Sequence, residues 1–163
     1  MHTTHKLRLV LAFMAVSFGV AAVAGHSELQ PGNPIYAQRL VTEVVNKHPD
    51  MLDLIFHVTP PNSSDNVAIA AYTAKERGAK SGEDDLGVIS TRKPVVEVQK
   101  DGVRIGVLVP LKDGSAQTIG ALGLMYDYHA GQDEQEFLRR SEKIRDELAS
   151  RISSRAALFA RQK

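Results

Sequence analysis

The chain has 163 residues, with 20 lysine and arginine against 19 aspartate and glutamate, for a net charge of +1. A balance that even offers no case for nucleic-acid binding, which relies on a basic surplus to displace counterions. Cysteine is absent, which excludes thiol nucleophiles, thiolate metal sites, iron–sulfur chemistry and disulfides, so the fold must rest on burial alone.

At the N-terminus, His5, Lys6 and Arg8 form a short basic head before an uncharged run from Leu9 to Ala24, and Ala22-Val23-Ala24 supplies small residues before Gly25. This layout is that of a secretory signal peptide cleaved after Ala24; the run ends short of the roughly 20 residues of a comfortable bilayer span. The expected location is periplasmic or secreted. Cleavage removes two positive charges, Lys6 and Arg8, so the net charge passes from +1 to −1. The expected organisation is a signal peptide at 1–24, a flexible leader at 25–33, a single domain at 34–153 and a fraying tail at 154–163. No later apolar run reaches membrane-spanning length, and no output module is expected in a chain ending at Lys163.

Asn33-Pro34 reads as a helix start, with Asn33 as N-cap and Pro34 in the first turn. Ile35, Leu40, Val41, Val44 and Val45 make one apolar stripe, and Pro49 stops the helix. Met51–Val58 is a short strand closed by Pro60-Pro61-Asn62. Asn62-Ser63-Ser64 matches a glycosylation sequon but reads as turn chemistry. Val67–Tyr72 is a second strand. From Thr73 to Asp85 the chain is charged, punctuated by glycine and without periodicity, and a short helix of about Asp84 to Thr91 follows, with Leu86, Val88 and Ile89 as its apolar contacts.

Asp101-Gly102 then centres a hairpin of the type I′ kind, pairing Lys100 with Val103, Val98 with Ile105 and Val96 with Val107. Gln117–Tyr128 is apolar on both faces, which predicts a central strand covered on both sides. Asp133-Glu-Gln-Glu136 resembles a capping box, opening a terminal helix with Phe137, Ile144, Leu148 and Ile152 at near-heptad spacing.

Two strands, a helical crossover and a three-stranded meander, framed by helices, predict an α+β, PAS-like fold: an antiparallel sheet of about five strands with the last beside the first. The motifs His48-Pro49, Pro60-Pro61, Lys80-Ser-Gly-Glu-Asp-Asp85, Lys93-Pro94, Val109-Pro-Leu-Lys-Asp113 and Ile119-Gly-Ala-Leu-Gly123 sharpen the likeness. The chain resembles the Cache group of extracytoplasmic sensor domains, in particular stand-alone single-Cache proteins of proteobacteria, over about Ile35 to Ile152. The resemblance implies a pocket between sheet and crossover for a small metabolite. It departs from membrane-embedded Cache receptors in lacking the spans and the output module, so direct signal transduction does not carry over.

Lys75, Arg77 and Lys80 in the crossover suit a carboxylate ligand if that segment covers the pocket, and a solvated charged loop is the alternative. Asp84 and Asp85 read as first-turn acids of the short helix. Tyr126 and Tyr128 share one strand face, either closing the pocket or sitting in the core. His57 and His129 end the first and last strands, which the fold would make neighbours, yet no third ligand stands at metal spacing. Glu97, Gln99 and Arg104 share the hairpin's polar face, where cross-strand pairing is expected. Enzyme signatures are missing, and neither a cofactor nor a metal is called for. The candidate ligand contacts are Arg77, Lys80, Lys75, Tyr126, Tyr128 and His57. The expected function is binding of a small anionic metabolite. The alternative is an interaction module whose terminal helix dimerises or docks on a membrane receptor.

Overall fold

The computed structural model describes residues 34–161. The segments expected as signal peptide (1–24) and leader (25–33), Asn33 included, lie outside the described residues. No helix among those described is long and apolar enough to cross a membrane.

The expected α+β architecture is present. Helix α1 (Tyr36–Lys47) leads into β1 (Met51–Val58) and β2 (Val67–Ala71); a 3-10 turn (Ala74–Glu76) and α2 (Glu83–Thr91) form the crossover. Strands β3 (Val95–Val98), β4 (Arg104–Lys112) and β5 (Thr118–Asp127) make the meander, and α3 (Glu134–Ala149) with a 3-10 turn (Ala156–Phe159) follows. All strands are antiparallel, in the order β2-β1-β5-β4-β3, so the last strand sits in the centre beside the first.

Alternation along the strands decides what each sheet face does. Leu54, Phe56 and Val58 of β1, Ile105, Val107, Val109 and Leu111 of β4, and Leu122, Leu124 and Tyr126 of β5 point one way. They meet Leu40, Val41 and Val44 of α1 and Phe137, Ile144 and Leu148 of α3 in one core. The terminal helix therefore spends its apolar stripe, Ile152 included, on its own sheet. Tyr126 donates or accepts a hydrogen bond at Ser141 Oγ, 3.0 Å away, and its ring meets Phe137 at 5.5 Å between centroids. Arg140 lies over the Tyr126 ring and grips Asp50 with both terminal nitrogens, at 2.8 and 2.9 Å. That guanidinium holds the Asp50 carboxyl below the usual carboxylate range.

Several local expectations change. Helix α1 starts at Tyr36 with Ile35, not Asn33, as N-cap, because Ile35 is engaged in a bridge to Arg161 and Tyr36 N–H donates to the Ala160 carbonyl at 2.8 Å. Within the tail expected to fray, the described residues 154–161 thus pack back on α1, with Leu158 completely buried. The hairpin keeps the expected register, Val96 opposite Val107 and Val98 opposite Ile105, but its turn is not type I′. Type I′ needs positive φ at both central residues, and here Gly102 has φ +70 while Asp101 does not share it. Gly102 N–H closes onto the Gln99 carbonyl, and the Asp101 carboxylate accepts from Val103 N–H and Arg104 Nε, so Lys100 and Val103 fall within the loop. At α3, Asp133 caps through Gln135 N–H, but the Glu136 carboxylate turns to Arg139, leaving half of the expected box. In α2, Val88 is buried while Leu86 is exposed.

Candidate functional site

The second face of the sheet is built differently. Pairing lines up Asp53, Met125, Gly106 and Glu97 in one row across four strands, and Ile55, Gly123, Leu108 and Val95 in the next. These residues form the floor of a cavity of about 460 Å³, walled by Thr73, Lys75 and Glu76 of the crossover and by Asp84 and Asp85 of α2. The volume lies within the roughly 300–1,000 Å³ of small-molecule sites. The cavity occupies the place, between sheet and crossover, where the resemblance implied a pocket.

Gly123 is what keeps the floor low. A Cβ there would stand 3.3 Å from Leu108 Cδ2 and 3.6 Å from His57 Nε2, so a side chain would fill the space those groups border. His57 is held by its other nitrogen, with Nδ1 2.9 Å from Ser81 Oγ and 3.4 Å from Asp85 Oδ2. Ser81 Oγ donates onward to Asn66 Oδ1 at 2.6 Å, so it accepts from His57, which places the imidazole proton on Nδ1 and leaves Nε2 as an acceptor at the cavity. Burial pushes the His57 pKa down, against the opposing pull of Asp85 and Glu76, and favours this neutral form.

Asp53 anchors the cavity's other end. Its Oδ1 accepts from Leu54, Tyr72 and Thr73 N–H at 2.9, 3.0 and 3.1 Å, which ties β1 to the start of the crossover. Its Oδ2 makes no hydrogen bond among the described residues. Asp85 caps α2 by accepting from Gly82 N–H at 2.8 Å, as its first-turn position suggested, and it also faces the cavity.

Of the six candidate contacts read from sequence, His57 and Lys75 line this cavity. Arg77 turns away: its Nε donates to the Ala71 carbonyl at 2.9 Å and helps close the end of β2. Lys80 pairs with Asp65 at 2.9 Å on the surface, beside an isolated bridge to Val67. Tyr126 and Tyr128 belong to the opposite face, in the core beneath α3. His129 is not a neighbour of His57. Antiparallel pairing sets Met51 opposite Tyr126 and His57 opposite Ala121, so the two imidazoles mark opposite ends of β1, about 20 Å of strand apart. Among the described residues no cluster of three or more potential metal ligands occurs.

Asp53, Glu97, Gln99 and Arg104 were missed as site residues. The signal available was period-two alternation, since Leu54, Phe56 and Val58 on one face put Asp53 and His57 on the other, and the hairpin's polar face was visible. The expected Glu97–Arg104 pairing drew that face as solvated surface. Arg104 instead pairs with Asp101 in the turn, leaving the Glu97 carboxylate without an ion pair among the described residues.

No protein-family model matches the sequence, and no curated protein matches it. Solved structures do. A GAF domain from A. aeolicus, crystallised in an inactive state, aligns with 13% identity over 72% of this chain and 85% of its own, at a TM-score of 0.54. A putative GAF sensor protein from Burkholderia vietnamiensis aligns with 15% identity over 74% of this chain and 76% of its own, at a TM-score of 0.51. At such identities the likeness is one of fold, and it agrees with the PAS-like arrangement of an antiparallel sheet framed by terminal helices.

Proposed function

We propose that this protein is an exported, non-catalytic domain of the sensor type, akin to stand-alone single-Cache proteins, that binds a small metabolite between its sheet and its crossover. The observation that carries the reading is the contrast between a sealed, apolar sheet face and a second face holding a 460 Å³ cavity with several polar side chains. The sensor-type GAF neighbours support it through fold. Export rests on the signal-peptide pattern at 1–24.

The lining also bears on the ligand's charge. An anion was expected from Lys75, Arg77 and Lys80, of which Lys75 alone lines the cavity. The lining carboxylates are Asp53, Glu76, Asp84, Asp85 and Glu97, against the cations Lys75 and Arg104, which pair with Glu76 and Asp101. With His57 neutral and presenting a lone pair, this set favours a ligand carrying an ammonium group or several N–H donors.

A thermal-shift screen of the purified protein against amines, amino acids and organic acids tests both points. An amine-bearing ligand at 100 times its dissociation constant stabilises by about 2.7 kcal/mol, and Glu97→Gln should weaken it about tenfold, the order expected for a hydrogen bond to a charged group. A flat response across the library overturns the binding reading. Stabilisation by acids alone overturns only the sign of the charge.

A further inference from the structure

A second concavity lies further along β4, sharing no lining residue with the first. Strand β3 begins at Val95, opposite Leu108, so β4 beyond Leu108 has no β3 neighbour. Where β3 is missing, a cleft of about 580 Å³ opens between the end of β4, the β4–β5 turn, the linker after α2, and α3. Its charged lining is Arg92, Lys112 and Arg145 against the single acid Glu142, with Gln117 and Thr118 beside them.

We propose that this cleft is a binding site for a small multivalent oxyanion, a dicarboxylate or a phosphate. Three observations support it. First, Arg145 is only 8% exposed, yet its sole ion pair runs from Nε to Asp146 Oδ1 at 2.6 Å. Its two terminal amino groups have no hydrogen-bond partner among the described residues. Second, the side chains of Arg92 and Lys112 have no ion pair among those residues either. Both line the cleft and are free to meet a ligand there. Third, two backbone turns fix the cleft's rim: Arg92 (φ +60) is the left-handed cap that ends α2, and Ala116 (φ +60) sits in the β4–β5 turn. A left-handed conformation is sparse outside glycine, so the Ala116 turn is a costly one that its surroundings must hold. The Ala116 turn is fixed from beneath, because Asp113 Oδ1 accepts from Ser115 and Gln117 N–H and Gly114 N–H donates to the Ile152 carbonyl. A turn held from beneath, an arginine whose stem is buried and whose terminal amino groups open on the cleft, and two unpaired cations form a pre-arranged receptor for a charge-paired oxyanion.

The test is a titration of the purified, isotope-labelled protein with succinate and, separately, inorganic phosphate, each at ionic strength matched by sodium chloride. The amide signals of Ala116, Gln117 and Thr118 should move together and saturate with at least one probe, and the better probe identifies carboxylate or phosphate as the recognised group. Arg92→Gln combined with Lys112→Gln should raise the dissociation constant at least tenfold, about 1.4 kcal/mol, without lowering the unfolding midpoint in anion-free buffer. Arg92→Lys combined with Lys112→Arg should retain saturable binding. Failure of both probes to saturate, equal shifts from sodium chloride, or undiminished affinity in the charge-removing variant overturns the proposal. None of these results depends on whether the crossover cavity binds its own ligand.

Discussion

The same five strands present two faces that differ in nearly every physical respect. Beneath α1 and α3, large side chains interlock and the polar groups within are few and paired, such as Tyr126 with Ser141. Beneath the crossover, glycines replace large residues on the central strands, and carboxylates and an imidazole border open space. The difference teaches which residues serve stability and which are available for recognition: a group surrounded by packed neighbours on the first face cannot be moved without loss, whereas several on the second touch little besides solvent.

The strongest test of that division is Tyr126→Ala. It removes a completely buried ring, its contact with Phe137 and the hydroxyl that pairs with Ser141. Large aromatic-to-alanine changes in cores cost about 3–5 kcal/mol, so urea unfolding should show a midpoint shift of that order. A loss below about 1 kcal/mol would mean that the helix-covered face is not the packed one.

Asp53→Ala asks whether the second face is free of structural duty, and the expected answer is that one residue is not. Removing the carboxylate leaves N–H groups of Tyr72 and Thr73 without their side-chain acceptor at the start of the crossover. Tyr72 N–H keeps the Leu54 carbonyl at 3.2 Å, so the loss falls chiefly on Thr73 N–H; a donor left without its partner costs about 1–3 kcal/mol, and denaturant titration should place this variant between Tyr126→Ala and the wild type. Asp53→Asn, which keeps an acceptor oxygen, should recover much of the loss.

His57 sharpens the comparison through pH. Burial lowers its pKa in the folded state below the unfolded value near 6.5. The unfolded chain therefore binds more protons than the folded one just below that value, and the contribution of this residue to stability falls as pH drops from about 7 through 6.5 and continues to fall until the folded-state pKa is passed. Unfolding midpoints measured between pH 7.5 and 5.5 should decline more steeply for the wild type than for His57→Gln, which cannot titrate. Parallel profiles would show that the imidazole is as solvated as in a free peptide.

How much of this could be read from the sequence follows from what local pattern encodes. Strands announce themselves by alternation, and Gln117–Tyr128 had no polar face, so its central place and the sheet order could be reasoned out. Helix α3 was visible in the spacing of Phe137, Ile144, Leu148 and Ile152. Charges in an aperiodic segment carry no such face information. Lys75, Arg77 and Lys80 lie within six residues of one another, yet one borders the cavity, one bonds to the backbone of β2 and one pairs at the surface. Tyr126 and Tyr128 were correctly placed on one face, but which face abuts the crossover is decided by packing of α1 and α3, a long-range outcome. The separation of His57 from His129 needed the antiparallel sense of β1 and β5 to be followed to the strand ends.

The smallest expected effect belongs to Lys80→Ala, and it is informative for that reason. The Lys80 ammonium meets Asp65 at 2.9 Å, but the two side chains are 76% and 55% exposed. An exposed pair gains little Coulomb energy in water and loses side-chain entropy on forming, so its removal should change stability by no more than about 0.5 kcal/mol. Lys80 does not border the crossover cavity, so calorimetry should also give unchanged affinity for any ligand bound there. Lys75→Ala is the matched control, since that side chain does border the cavity and its loss makes the lining still more acidic. Affinity for an amine-bearing ligand should then rise slightly, because a like charge has been taken away. If Lys80→Ala weakened binding and Lys75→Ala did not alter it, the recognition surface would lie at the β2 edge of the sheet, and the division between the two faces would have to be redrawn there.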